Sequence, residues 1–336
     1  MTRSGNSTLL TAAEGSSLTW RTMPEGKLRV PSPPVIGRSG NVMRIAIAGA
    51  SGRLARATAE YVLEKVSPDD VVLVTRNVDA LAGFAGNGVT VRYGDYDRPE
   101  SLPAAFEGAD RLFLVSLHEL GRRVTQHRNA IDAAVAAGVR HIVYTSYIMA
   151  DPADPDCPST VVPDHLRTHE LLDASGLEVT YLRMGLFAET PVTQILPPAI
   201  ARGMLVDNTG HAKGAFVHRD DCAAAAAAVL ASAGHEGRTY DVTGPELLGF
   251  DDLTALAAKI SGRPVGYRSV PDDEFDAQLR AAGVPDDVRG MIVSFGVSLR
   301  AGYGEPLTDT VRRLTGRPAR PVSDLMERHR DLLAGS

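Results

Sequence analysis

From residue 44 to about residue 242, short apolar runs alternate with longer stretches in which apolar positions recur at helical spacing. The runs at 45–48, 71–74, 90–93, 111–115, 141–145 and 178–183 read as strands, and the most continuous of them as strands buried on both faces. Helical spacing covers 54–66, 101–106, 122–137 and 164–174. Repeated strand–helix alternation of this kind demands a parallel sheet with right-handed crossovers and helices on both faces. Beyond a Pro- and Asp-rich loop at 151–163, residues 186–212 look irregular. Short strands are expected at 215–217 and 239–242, and an alanine-rich helix at 222–231 capped by Asp220 and Asp221. Helices near 251–261, 272–282, 286–294 and 307–314 form a smaller lobe that closes the cleft.

The turn after the first strand is Gly49-Ala50-Ser51-Gly52-Arg53-Leu54-Ala55. Gly49 permits a tight turn, Gly52 lets the backbone approach a pyrophosphate, and Ala55 is small enough for the helix to pack on the strand. Phosphates then lie at a helix N-terminus, where free N–H groups and the dipole favour anions. The fold class expected is therefore α/β: a Rossmann-type doubly wound parallel sheet with a smaller, mostly helical C-terminal substrate lobe. Residues 43–185 form the NAD(P)-binding domain, with 213–245 returning to it. Residues 186–212 and 246–330 form the substrate side. At the end of the second strand an acidic residue would bind the ribose 2′-hydroxyl of NAD; this chain has Arg76, which suits the 2′-phosphate of NADPH. Asp95, after the third strand, is placed either to reach the adenine edge or to cap a turn. Ser116, ending the fourth strand, is expected under the nicotinamide side of the crevice.

Composition narrows the partners. The 336 residues are 44% hydrophobic and 23% charged with a net charge of −6, which leaves no basic footprint for nucleic acid or an anionic membrane. No apolar run approaches the roughly 18 residues of a spanning helix. Cys157 and Cys222 are far apart without metal-ligand spacing, which suits a reducing cytoplasm. Residues 1–42 are rich in Ser, Thr, Gly and Pro and hold the single tryptophan, Trp20. They read as a disordered tail or as a mis-annotated extension of a protein that starts at Met43. The chain is expected to act on a small-molecule acceptor as a monomer or homodimer.

Proton chemistry is less plain. The single Tyr-x-x-x-Lys match, Tyr61 to Lys65, sits in the first helix on the diphosphate side and is a decoy, with Tyr61 in the core and Lys65 in solvent. After the fifth strand, His165 and His169 share one helical face. Either, with Tyr147, can protonate a reduced acceptor; the alternative is that both are surface or cap residues. No third ligand joins the pair, so no metal is expected.

Segments 126–134, 137–139, 144–146, 164–170, 182–189 and 234–237 resemble the NmrA-like family of atypical short-chain dehydrogenases, most of all its type-2 NAD(P)H:quinone oxidoreductases and triphenylmethane reductases. The resemblance covers about residues 43–330. It implies NADPH held by Gly49, Ser51, Gly52, Arg53, Leu54 and Arg76, with Ser116, Thr145 and Ser146 near the nicotinamide. It also implies flavin-free hydride transfer to a quinone or similar flat conjugated acceptor. The segment with Met184, Leu186, Phe187 and Glu189 would line the substrate pocket. Met184 and Thr190 stand where asparagines are common in these reductases, and Leu186 replaces an aromatic, which bears on the acceptor rather than the cofactor. Two other roles stay open: a reductase of a specific secondary-metabolite intermediate, and a non-catalytic NADP(H)-sensing regulator.

Overall fold

The computed structural model describes residues 43–117, 119 and 121–335, together with an antiparallel pair of short strands at Thr11–Ala13 and Ser17–Thr19. Apart from that pair, residues 1–42 lie outside the described residues, Trp20 and the expectations for this segment with them.

Seven parallel strands make the central sheet. They are β1 (Ile45–Ala48), β2 (Val71–Thr75), β3 (Thr90–Tyr93), β4 (Arg111–Leu114), β5 (His141–Tyr147), β6 (Glu178–Met184) and, later in the chain, β10 (Thr239–Val242). Their order is β10-β6-β5-β4-β1-β2-β3. Helices α1 (Arg53–Leu63), α2 (Ala82–Ala85), α3 (Leu102–Phe106), α4 (Arg123–Ala136), α5 (Val162–Asp173), α6 (Leu196–Arg202) and α7 (Arg219–Ala231) follow in chain order. Alternate residues of each strand serve opposite faces. Ile45, Ile47, Phe113, Val143 and Leu182 pack against Leu54, Ala55, Ala59 and the alanines of α7. Ala46, Ala48, Leu112, Leu114, Ile142 and Tyr144 pack against α3, α4 and α5 through Phe106, Ile131, Ala134 and Leu172. The run of alanines from Ala223 to Ala227 is buried, as close packing on the sheet requires.

The substrate-side segments are more regular than the sequence pattern suggests. Residues 186–212 contain β7 (Leu186–Phe187), a π-helical turn at Pro191–Ile195, α6 and β8 (Met204–Asp207). Prolines early in a helix remove only N–H groups that have no intrahelical partner, so Pro197 and Pro198 start α6 instead of breaking it. β7 pairs with β9 (Gly214–Val217), which in turn pairs with β11 (Leu247–Leu248); β8 pairs with β12 (Gly266–Ser269). Helices α8 (Phe250–Ser261), α9 (Asp272–Ala281), α10 (Asp286–Arg300), α11 (Thr310–Thr315), α12 (Val322–Arg328) and α13 (Arg330–Ala334) complete the chain; α12 and α13 lie beyond the helices expected, and α10 extends to Arg300.

Asp220 and Asp221 are not caps. Helix α7 already starts at Arg219, so both fall inside its first turn. Asp221, 1% exposed, instead accepts from the Arg320 backbone N–H at 2.8 Å, Nε at 3.0 Å and Nη2 at 2.8 Å. The expectation for the decoy motif holds: Tyr61 packs against the core and Lys65 is exposed.

Candidate functional site

Strands β1 and β4 are neighbours, yet the chain leaves them in opposite directions, toward β2 and toward β5. At the carboxyl edge of such a sheet this switch point opens a crevice. The glycine turn lies there. Gly49 has φ +66°, and the turn is fastened by Ala50 N–H to the Val74 carbonyl at 3.0 Å and Gly52 N–H to the Gly49 carbonyl at 2.8 Å. A Cβ on Gly52 would stand 3.1 Å from that carbonyl. Ser51 is tied to β2 by the Thr75 hydroxyl, Oγ1 to Oγ at 3.0 Å.

Helix α1 opens from this turn without a side-chain cap and with no acidic residue in its first turn. Its next backbone bond is Arg56 N–H to the Gly52 carbonyl, so the first-turn N–H groups, Arg53 and Leu54 among them, have no partner within the helix. Leu54 and Ala55 are buried against the sheet, whereas Arg53 and Arg76 are exposed. Among the described residues, neither arginine has a carboxylate within ion-pair distance. Unpaired donors beside two unneutralised guanidinium groups fit a diphosphate and an additional phosphate. Asp95 is tied into its own turn: its carboxylate accepts from Asp97 N–H at 3.1 Å, and its backbone N–H donates to the Ser101 hydroxyl at 3.0 Å.

Across the switch point, the Ser116 N–H donates to Thr145 Oγ1 at 2.7 Å, joining the ends of β4 and β5. Tyr144 and Ser146 share one face of β5, and His165 and His169 share one face of α5. These faces meet twice: Tyr144 hydroxyl with His165 Nδ1 at 2.9 Å, and Ser146 Oγ with His169 Nε2 at 2.7 Å. His127 on α4 completes the cluster. It accepts from Leu117 N–H at Nε2 (3.4 Å) and donates from Nδ1 to Thr168 Oγ1 (2.9 Å), whose hydroxyl donates to the Asp164 carbonyl. Burial pushes His127 down to about 3 and His169 down to about 4, and holds His165 well below the ordinary imidazole range. The Arg123 charge adds to the effect at His127 and His165. Burial also raises the Tyr144 phenol to about 12. At pH 7 these histidines are neutral. The surface-or-cap alternative for His165 and His169 is therefore overturned: they are 7% and 5% exposed and bonded to the sheet.

Tyr147 closes β5 half-buried. Its ring lies 6.0 Å from that of His165, burial raises its phenol well above the ordinary value, and among the described residues its hydroxyl has no hydrogen-bond partner. The segment expected to line a pocket divides. Met184 packs in the core under α1 and α7, and Leu186 in the core of the lobe, and both are buried. Phe187 lies under the Arg219 guanidinium at 4.8 Å, and Glu189 accepts from the Arg219 backbone N–H at 2.9 Å, fastening the start of α7. Tyr144, His127 and Thr168 escaped sequence reasoning; polar residues at period two in β5 facing a histidine stripe on α5 were the available signal.

A family model described as NAD(P)H-binding matches residues 49–233. Quinone oxidoreductase 2 of Escherichia coli is 35% identical over 280 residues, covering 83% of this chain and 96% of that protein. This chain belongs to the NAD(P)H-binding, NmrA-like oxidoreductases. A crystal structure of an E. coli NADPH-dependent quinone oxidoreductase in complex with NADPH shares the fold of this NmrA-like chain at a TM-score of 0.80 and 34% identity, covering 84% and 99% of the two chains. Triphenylmethane reductase from Citrobacter sp. does so at 0.77 and 30%, covering 86% and 100%. A (4-alkanoyl-5-oxo-2,5-dihydrofuran-3-yl)methyl phosphate reductase of Streptomyces griseus is 30% identical over 290 residues, 86% of this chain and 99% of that one. As an NmrA-like oxidoreductase the chain is an enzyme that uses NAD(P)H. Among its described residues no helix is long and apolar enough to cross a membrane, and no group of three or more His, Cys, Asp or Glu side chains is placed to hold a metal ion.

Proposed function

We propose that this chain reduces a quinone or a similar flat conjugated acceptor, with NADPH as its reductant. The observation that carries the proposal is the uncapped N-terminus of α1 beside Arg53 and Arg76, all three unpaired among the described residues. When bound there, NADPH supplies the hydride. Gly49, Ser51, Gly52, Arg53 and Leu54 hold the diphosphate through backbone N–H groups and charge. Arg76 takes the 2′-phosphate, and the turn at Asp95 borders the adenine. Ser116, Thr145 and Ser146 form the floor on the nicotinamide side, where the bond between Ser116 and Thr145 fixes two strand ends. Tyr147 retains its proton at neutral pH and so orients the acceptor by donating a hydrogen bond to its oxygen. His165 acts through the sheet as a positioning residue, held to Tyr144. Residues 186–212 and 246–330 cover the acceptor side, with Phe187 and Glu189 where the first of these segments meets the start of α7. Positioning the ring beside the cofactor supplies most of the catalysis. The protein works in the cytoplasm as a monomer or homodimer.

Stopped-flow NADPH oxidation with a panel of small quinones tests this, and no turnover with any acceptor overturns it. A second reading is a reductase of one specific secondary-metabolite intermediate, supported by the 30% identity to a reductase of a conjugated lactone phosphate; it predicts faster turnover of a conjugated lactone than of simple quinones.

A further inference from the structure

The three histidines of this cluster differ in what their rings face. His127 has both ring nitrogens bonded; His165, whose Nε2 has no partner among the described residues, lies between the Tyr144 and Tyr147 rings and lines no cavity wall with His169. His169 uses Nε2 for Ser146, while its Nδ1 has no partner among the described residues. Its ring lines a cavity of about 300 Å³ on the α5 side of β6, walled also by Asp151, Asp173, Tyr181 and Arg183. The other polar groups of that wall are bonded among themselves. Arg183 pairs with Asp151 at 2.7 Å and with Asp241 at 2.6 Å, and the Tyr181 hydroxyl donates to Asp173. The Tyr181 ring holds the imidazole at 4.4 Å, and Tyr144 and His165 flank it from β5 and from its own helix. A neutral imidazole is thus fixed between a polar cavity and a hydroxyl at the carboxyl edge of the sheet.

We infer that Ser146 and His169 form a proton relay from this cavity to the acceptor oxygen. The inference rests on the proposed quinone reduction and adds its proton path. Hydride addition to a quinone leaves an anionic oxygen that must gain one proton. Ser146 Oγ–H gives up its proton to that oxygen, His169 Nε2–H restores the serine, and a cavity water protonates Nδ1 and leaves as hydroxide. The sum is quinone, NADPH and water giving hydroquinone, NADP⁺ and hydroxide. The ring emerges as the other tautomer and resets by exchange with water. Because Nε2 loses its proton in the same concerted step in which Nδ1 gains one, the imidazole never needs to carry a charge, which matches its buried setting.

The test exploits two acceptors with different proton demands. A cationic triphenylmethane dye becomes neutral on gaining hydride at carbon and needs no proton, whereas 1,4-benzoquinone does. For Ser146→Ala and His169→Gln we expect kcat with the quinone to fall about 10²-fold, the scale of general acid–base catalysis. The deciding readout is the ratio of quinone to dye rates within each variant, which should fall about 10²-fold because the dye step shares every demand of the quinone step except the proton. ¹⁵N NMR of the free protein provides a readout independent of turnover: His169 should carry its proton on Nε2. Equal losses with both acceptors, no loss with either, or a proton held on Nδ1 overturns the relay while leaving quinone reduction in place. Reduction of neither acceptor by the unaltered protein overturns the quinone proposal, and the relay with it.

Discussion

The carboxyl edge of the sheet has two halves built on opposite principles. On the β1 side, the glycine turn leaves N–H groups of α1 unbonded and Arg53 and Arg76 exposed without a carboxylate. On the β5 side, Tyr144, Ser146, His127, His165 and Thr168 are buried and bonded to one another or to backbone. Unmade hydrogen bonds are tolerable in the first half because water replaces them until an anion arrives. In the second half they would carry the full desolvation penalty, so the protein makes nearly all of them itself. The contrast teaches where to look for ligands: at polar groups whose capacity is left over. By that criterion the β1 half is a binding site, the histidine cluster is mostly architecture, and His169 is the member that belongs to both.

The largest expected effect strikes the histidine half. His127 is pushed down to about 3 and His169 to about 4, and His165 is lowered too, against an ordinary value of 6.5. Between pH 6.5 and 4 the unfolded chain binds protons that the folded chain refuses, so stability falls as pH falls through that window. Each such histidine contributes up to about 1.4 kcal/mol per pH unit. Chemical denaturation at pH 7, 6, 5 and 4 should show this steep loss, and a flat profile would mean that the histidines are accessible. Next in size is Arg76→Ala. Loss of a charge-assisted phosphate contact, about 1.5–3 kcal/mol, should weaken NADPH binding roughly 10- to 100-fold while NADH binding and thermal stability stay put. Equal losses for both cofactors would remove Arg76 from the 2′-phosphate.

Tyr144→Phe reverses that signature. Removing the phenolic hydroxyl leaves His165 Nδ1 buried without its partner, at a cost of about 1–3 kcal/mol, and cofactor affinity should not change. A drop in NADPH affinity instead of stability would mean that the two halves are not distinct. The smallest effect is expected from Lys65→Ala. An exposed side chain away from both halves should change stability by no more than about 0.5 kcal/mol and leave NADPH oxidation unaltered, which separates the decoy Tyr-x-x-x-Lys from a catalytic pair.

Legibility in the sequence follows the same division. Gly49, Gly52, Ala55 and Arg76 could be placed because a strand, a tight turn and a helix N-terminus are local features, each set by a few consecutive residues. The parallel, doubly wound sheet could be anticipated because right-handed crossovers leave few topologies. Asp221 was misread because its partner, Arg320, lies 99 residues away and no local pattern announces it. That Met184 and Leu186 pack in two different apolar cores was not legible, because proximity to the cleft in sequence says nothing about which way a side chain points. Residues 191–202 look irregular in sequence because Pro191, Pro197 and Pro198 interrupt the helical pattern, whereas at a helix start proline is tolerated.

The sequence by itself determined the alternating strands and helices, the glycine turn with its unneutralised arginine, and hence a dinucleotide-binding oxidoreductase fold. Those features depend on periodicity and on neighbours within one or two turns of chain. Only the tertiary structure decided that His165 and His169 are buried and neutral, that they pair with Tyr144 and Ser146, and that one imidazole nitrogen faces a cavity. Such facts arise where a strand face meets a helix face some twenty residues further along the chain. Burial and desolvation, which set both charge state and hydrogen-bond demand, are properties of that meeting and of neither segment alone.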